Sequence, residues 1–237
     1  MALKFIIFDL DDTLYSRDIG LMREVGRRIQ MWLYDHLGLT WEEAAVRRGE
    51  YFRRYGTTLG GLVAEHDVDV HDYLAFVHDV PVEEYLDPDP ALAAMLDGIP
   101  LRKAIYTNGT VEHARRVLRV LGVADHFEQV VGIEEVGLRN KPYRDAYERM
   151  LALLGVPGPE CVMVEDSERN LWPAKALGLT TVLVDADGSL ARAACSAELA
   201  DNLGGCADFV VAHVLEVGPV VARVLSGRAI DSCCGEG

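Results

Sequence analysis

Short apolar runs that stop at carboxylates constrain this chain more than any other feature. The first is Lys4-Phe-Ile-Ile-Phe-Asp9. Four large apolar residues in a row, without polar alternation, are the pattern of a strand buried on both faces. About 80 residues of helical pattern follow, and from Leu101 onward strand and helix alternate. The spacing predicts strands over 103–106, 129–131, 161–164, 181–184 and 209–211, and helices over 111–121, 143–154, 171–177 and 214–225. Alternating units of this kind build a parallel sheet with helices on both faces. The fold class is therefore α/β, a Rossmann-like parallel core carrying an inserted all-helical segment. Ligands of such sheets bind at the carboxyl ends of the strands, near the point where strand order reverses.

The helical segment has its own signals. Met22, Val25, Ile29 and Leu33 recur at helical spacing, Thr40-Trp-Glu-Glu43 is a capping box, and 71–78 reads as a further helix. The stretch 56–61, rich in Thr and Gly, reads as a turn. Asp89-Pro90 is an N-cap followed by proline at the first helical position. The expected division is a core of 1–14 and 91–237, with a helical insertion over 15–90.

Polar clusters stand at the ends of these strands. Asp9-Leu-Asp11-Asp12-Thr13-Leu14 comes after the first, Thr107-Asn108-Gly109 after the second and Glu165-Asp166-Ser167 after the fourth, while Asn140-Lys141-Pro142 precedes the helix that leads to the fourth. Each has an ordinary structural reading alone: a loop cap, a turn, an N-cap. Their order and strand context together make one site. Residues two apart on an extended chain project to the same side, so Asp9 and Asp11 face together. Like charges about 4 Å apart cost on the order of 4 kcal/mol at an effective dielectric of about 20, so a cation must sit among these acids. Oxygen donors alone suit Mg2+, which also binds substrate phosphate. The Thr107 hydroxyl, backbone N–H groups at a helix start and the Lys141 ammonium are what a phosphate needs. One carboxylate can act as nucleophile and its neighbour as general acid and base.

These motifs resemble those of the haloacid dehalogenase (HAD) superfamily: Phe8-Asp-Leu-Asp-Asp-Thr-Leu14 its first, Thr107-Asn-Gly109 its second, Lys141-Pro142 its third and Val164-Glu-Asp-Ser167 its fourth. The resemblance implies that Asp9 is the nucleophile and a Mg2+ ligand. Asp11 is then the acid/base, offering its backbone carbonyl to the metal. Thr107, Asn108 and Lys141 hold the phosphoryl group, Asp166 binds the metal, and Glu165 supports from behind or through water. Asp11 marks the phosphotransferase branch, which disfavours dehalogenation. The helical insertion is similar to the superfamily's cap. Within it, Tyr51-Phe-Arg-Arg-Tyr55-Gly-Thr-Thr-Leu-Gly-Gly-Leu62, Asp72-Tyr-Leu-Ala-Phe-Val-His78 and Tyr85-Leu-Asp-Pro-Asp-Pro90 resemble segments of its pyrimidine 5′-nucleotidases. That likeness implies hydrolysis of UMP or CMP through an aspartyl-phosphate, with Tyr55, Gly56, Thr57 and Thr58 as substrate contacts. Alternatives that share the chemistry are a phosphatase for phosphoglycolate or a sugar phosphate, and a phosphomutase. A receiver-like signalling module is a more distant one, since its phosphorylated Asp follows the third strand and here Val131-Gly132-Ile133 stands there.

Charge and cysteines bound the partners. With 23 basic against 38 acidic residues, net −15, the chain has no broad basic face for a nucleic-acid polymer. No apolar run approaches the roughly 18–20 residues needed to span a bilayer. The expected partner is a small phosphate monoester, with the protein a monomer or homodimer. Five cysteines without a CxxC, and an N-terminal run cut by Asp9, Asp11 and Asp12, fit a reducing cytoplasm. Cys161 falls in a strand pattern, Cys195 and Cys206 are scattered, and Cys233 and Cys234 lie in a Gly-rich tail. His113, His126 and His213 read as surface or capping groups, Trp172 as packing, Arg115-Arg116 as a solvated helix face and Arg139 as a possible aid to phosphate binding.

Overall fold

The computed structural model describes residues 2–186 and 205–226. Cys195, Cys233, Cys234 and the tail beyond Ser226 lie outside the described residues. The sheet is six-stranded and all parallel, in the order β3-β2-β1-β4-β5-β6. Its strands are β1 (Phe5–Phe8), β2 (Arg102–Tyr106), β3 (Gln129–Val131), β4 (Cys161–Glu165), β5 (Thr180–Val184) and β6 (Phe209–Val211). β1 is central, with Phe8 level with Ile105 on one side and Val164 on the other. The strand order reverses there, which makes its carboxyl end the switch point.

Residue alternation along β1 sorts the core into two layers. Ile6 and Phe8 join Val164, Val182 and the buried faces of α6 (Pro90–Asp97), α7 (Val111–Val120) and α10 (Val217–Leu225). Phe5 and Ile7 join Tyr106, Met163 and the buried faces of α8 (Arg144–Leu154) and α9 (Glu168–Ala176). Burial on both faces explains the unbroken apolar strand sequences.

Between β1 and β2 lie α1 (Leu21–Leu37), α2 (Trp41–Tyr55), α3 (Thr58–Glu65), α4 (Val70–His78), α5 (Val82–Tyr85) and α6. The first four share their own apolar cluster, including Trp32, Leu33, Tyr51, Leu62, Tyr73 and Val77. The chain on either side of that cluster, at Leu21, Val25, Val80, Val82 and Leu86, packs into the sheet-side core instead. Thr40 and Glu43 form the expected capping box, with bonds of 2.8 and 3.2 Å. Asp89 caps α6 through Ala91 N and Leu92 N.

The stretch 56–61 is not the turn its composition predicts. Only Gly56 and Thr57 turn, and Thr58 opens α3. Thr57 Oγ1 accepts from Gly60 N at 3.0 Å, and Leu59 and Leu62 bury the helix against α2. The two glycines are there for close approach: a Cβ on Gly61 would sit 2.2 Å from Tyr51 Cγ. Among the described residues no helix is long and apolar enough to cross a membrane.

Candidate active site

The ladder holds the polar residues in place past the ends of the strands. Asp9 N donates to Val164 O at 2.9 Å, and Thr107 N to Val131 O at 3.0 Å. The chain then turns sharply: Leu14 N returns to Leu10 O at 2.9 Å and Asp12 adopts φ +60°. Asp tolerates that left-handed region better than most L-residues, because its short polar side chain bonds locally.

At the centre is Lys141, 2% exposed. Its Nζ donates to Asp9 Oδ1 at 2.7 Å, Glu165 Oε1 at 2.8 Å and Tyr106 O at 3.1 Å. Three acceptors use all three N–H groups of an ammonium. Asn108 fixes the Lys141 backbone from both sides: Lys141 N donates to Asn108 Oδ1 at 2.7 Å, and Asn108 Nδ2 to Lys141 O at 3.3 Å. Glu165 is wholly buried, its Oε1 also taking a bond from Asn170 Nδ2 at 2.6 Å and its Oε2 one from Ser167 N at 2.7 Å. Thr107 is buried with Oγ1 accepting from Gly109 N at 2.9 Å.

Three carboxylates gather near one ammonium, and the titration of Asp9 and Asp166 is shifted accordingly. Burial, opposed by Lys141 and reinforced by Glu165 and Asp166, holds Asp9 well above the usual carboxylate range. Burial and the Glu165 carboxylate push Asp166 up to about 7. Burial works against the charge of Lys141, but Asp9 and Glu165 overcome it and hold the ammonium above its usual range. For Asp11 burial also opposes charge, and His113, with the Tyr15 hydroxyl, overcomes it to hold the carboxyl low.

Carboxylate oxygens of Asp9, Glu165 and Asp166 lie within 4.8 Å of one another. Both Glu165 oxygens are already taken by protein donors, so Glu165 suits a supporting position behind the others. Asp9 Oδ2 and Asp166 Oδ1 receive long contacts from Thr13 Oγ1, at 3.5 and 3.4 Å, and Asp166 Oδ2 a solvent-facing ion pair from Arg17 at 2.9 Å. Asp12 Oδ1 is buried without a partner among the described residues. Excess negative charge with all-oxygen donors fits a hard divalent cation such as Mg2+.

A cavity of about 690 Å3 opens from Asp9, Asp11, Thr107, Asn108, Lys141 and Asp166 toward the helical insertion. Gly56, Thr57 and Thr58 line it. Tyr55 is not among the lining residues, and its hydroxyl donates to Glu65 Oε1 at 2.6 Å, away from the cluster. Phe52, 57% exposed, lines the cavity instead, with the Arg169 guanidinium 5.8 Å from its ring centre.

Other expectations need correction. His113 is no surface group: it is 4% exposed, with Nε2 3.3 Å from Asp11 Oδ1. Its place beside Ala114, Val117 and Leu118 on the buried face of α7 was the available signal. Tyr15, four residues after Asp11, and Arg17, which bridges Asp12 and Asp166, were also missed. Arg116 is not merely solvated, since it pairs with Glu83 and donates to Val80 O at 2.8 Å. Arg139 pairs with Asp145 and, like Trp172, does not line the cavity. His213 caps a turn through Leu215 N, as expected, and His126 pairs with Asp97.

A doubly wound parallel sheet with buried carboxylates and a lysine gathered at its switch point defines the class: an α/β protein with a carboxylate-rich site at the carboxyl ends of its central strands. The chain belongs to the haloacid dehalogenase-like hydrolase family, whose profile matches residues 3–178. It is 27% identical over 198 residues to phosphate metabolism protein 8 of Saccharomyces cerevisiae, covering 77% of this chain and only 61% of the yeast protein's length. It is 30% identical over 200 residues to phosphoglycolate phosphatase of Rhodospirillum rubrum, covering 76% of this chain and 79% of that one. In fold it resembles an HAD phosphatase from Thermococcus onnurineus, with a TM-score of 0.61 and 22% identity over 92% of this chain and 98% of that chain.

Proposed function

We propose that this chain is a Mg2+-dependent phosphomonoesterase that works through an aspartyl-phosphate and acts on pyrimidine nucleoside 5′-monophosphates such as UMP and CMP. The observation that carries this reading is the continuous cavity from the Asp9–Lys141–Asp166 cluster to Phe52, Thr57 and Thr58. Its volume of about 690 Å3 lies in the range of sites that enclose ligands of nucleotide size. Phe52 offers a ring face to a base, and the threonines offer groups to its polar edge.

In the proposed reaction Asp9 Oδ2 attacks phosphorus while Oδ1 stays bonded to Lys141. The ester P–O bond breaks, and the leaving oxygen takes the proton that Asp11 must carry into the step. Water then attacks the aspartyl-phosphate, gives a proton to Asp11 and releases phosphate, which restores the Asp9 carboxylate. Lys141 and the backbone N–H groups past Thr107 stabilise the charge on the transferring group. Asp9, Asp166 and the Asp11 carbonyl would hold Mg2+, which supplies positive charge to the phosphoryl oxygens.

A second reading, a phosphatase for a small acid ester such as phosphoglycolate, is favoured by the likeness to the Rhodospirillum phosphoglycolate phosphatase. Phosphate release from UMP, CMP, dTMP, AMP, GMP, phosphoglycolate and glucose phosphates, with and without Mg2+, tests both. Preference for UMP and CMP, abolished in Asp9→Asn, is the expected result. Preference for phosphoglycolate would keep the chemistry and discard the nucleotide assignment.

A further inference from the structure

Two donors converge on one oxygen of Asp11. Tyr15 Oη donates to Asp11 Oδ1 at 2.6 Å, and His113 Nε2 lies 3.3 Å from the same atom. Oδ1 accepts from Tyr15, and any proton Asp11 holds sits on Oδ2, so in the bond to His113 it is Nε2 that carries the proton. The other ring nitrogen, His113 Nδ1, is buried without a partner among the described residues. Helix packing alone would be met better by an apolar side chain, because a buried polar atom left unpaired opposes folding. The ring is also braced from outside the core. His78, at the end of α4, stacks on it with centroids 4.7 Å apart and planes 30° apart. His78 is itself anchored by its Nδ1–H on Leu74 O at 3.0 Å. Burial holds His78 down to about 4, so its ring stays neutral beside His113 at neutral pH.

We propose that His113 is a positioning residue for Asp11: with Tyr15 it holds Oδ1, so that Oδ2 is the oxygen that exchanges a proton with the leaving group. The inference rests on the reading of Asp11 as the acid/base. It also assigns His78 a task, that of fixing the His113 ring plane from the helical insertion. The leaving oxygen of an alkyl ester needs a proton as its bond to phosphorus breaks, whereas p-nitrophenolate departs without one. Losing the orientation of Asp11 therefore penalises alkyl esters selectively.

The experiment compares kcat/KM, which reports formation of the aspartyl-phosphate, for two substrates in the Mg2+-loaded enzyme. One is p-nitrophenyl phosphate. The other is whichever of the nucleotide, phosphoglycolate and sugar phosphate esters the enzyme turns over fastest. His113→Ala should lower the alkyl value about 10- to 100-fold, part of the roughly 10²- to 10⁴-fold worth of a general acid, and change the aryl value less than about threefold. His113→Gln, whose amide N–H can reach the same oxygen, should restore most of the alkyl rate. Should His113→Ala fail to fold, Tyr15→Phe removes the other donor and carries the same selective prediction. Asp11→Asn is the control. If Asp11→Asn is selective but the His113 and Tyr15 variants lose both substrates equally, or neither, the positioning role is overturned and the acid stands. If Asp11→Asn itself shows no selectivity, the acid assignment falls and the inference falls with it.

Discussion

Lys141 holds two buried acids apart from each other's charge, and its substitution by Met would leave Asp9 and Glu165 uncompensated. Breaking such a pair typically destabilises by about 3–5 kcal/mol, so the urea midpoint of Lys141→Met should fall accordingly and recover partly as pH is lowered. The raised carboxyls of Asp9 and Asp166 have a second consequence. Between the ordinary carboxylate range and about pH 7 the folded chain holds protons that the unfolded chain has lost. Their contribution to stability is therefore full in acid and lost as pH rises through about 7. In the proposed function a divalent cation would replace those protons. The rise in melting temperature caused by Mg2+ should thus be larger at pH 8 than at pH 5, and an equal or opposite trend would contradict a metal site on these residues. The sequence already exposed the carboxylates, the lysine and Thr107. Tyr15 and His113 escaped because hydroxyl and imidazole groups occur commonly on helices and loops, and nothing in their local pattern names a partner.

At the scale of elements, the helices of the insertion are fixed by their ends and by close contact. Thr40 and Glu43 announced α2 because a capping box is a local bond between residues three apart. α3 was misread because its glycines are read as turn residues by composition, while their actual use is proximity to Tyr51 and Asn140. Gly61→Ala should therefore be destabilising by about 1–3 kcal/mol, as overpacking is elsewhere, although alanine is the better helix former. Thermal unfolding with circular dichroism measures this, and a stabilised variant would show that α2 and α3 are not packed as described. The central strands β1 and β4 were legible nearly to the residue, since both of their faces are buried and period-2 alternation is replaced by an apolar run.

Across the whole molecule, the insertion is tied down over the cavity by backbone carbonyls at the end of α2. Arg169 Nη1 donates to Phe52 O at 2.9 Å, and Asn140 Nδ2 to Tyr55 O at 3.1 Å. Phe52 O already accepts from Gly56 N at 3.0 Å, so the Arg169 bond is a second one on that oxygen, and with the Asn140 bond to Tyr55 O it joins the end of α2 to the core. Removing the Arg169 bond, worth about 0.5–1.5 kcal/mol, should raise KM about 3- to 10-fold with a smaller change in kcat. Hydrogen exchange should quicken in α2 and α3 but not in β1 or β4, and unchanged exchange in α2 would refute the tie. What the sequence by itself determined was the kind of sheet, the order of its strands along the chain and the polar residues that end them. Those properties are encoded by periodicity and by neighbours a few residues apart. The tertiary structure alone decided that Lys141 reaches Asp9 across 132 positions, that His113 reaches Asp11 across 102, and that Phe52 rather than Tyr55 faces the cavity. Contacts between distant residues depend on how whole layers pack, and no local pattern carries that information.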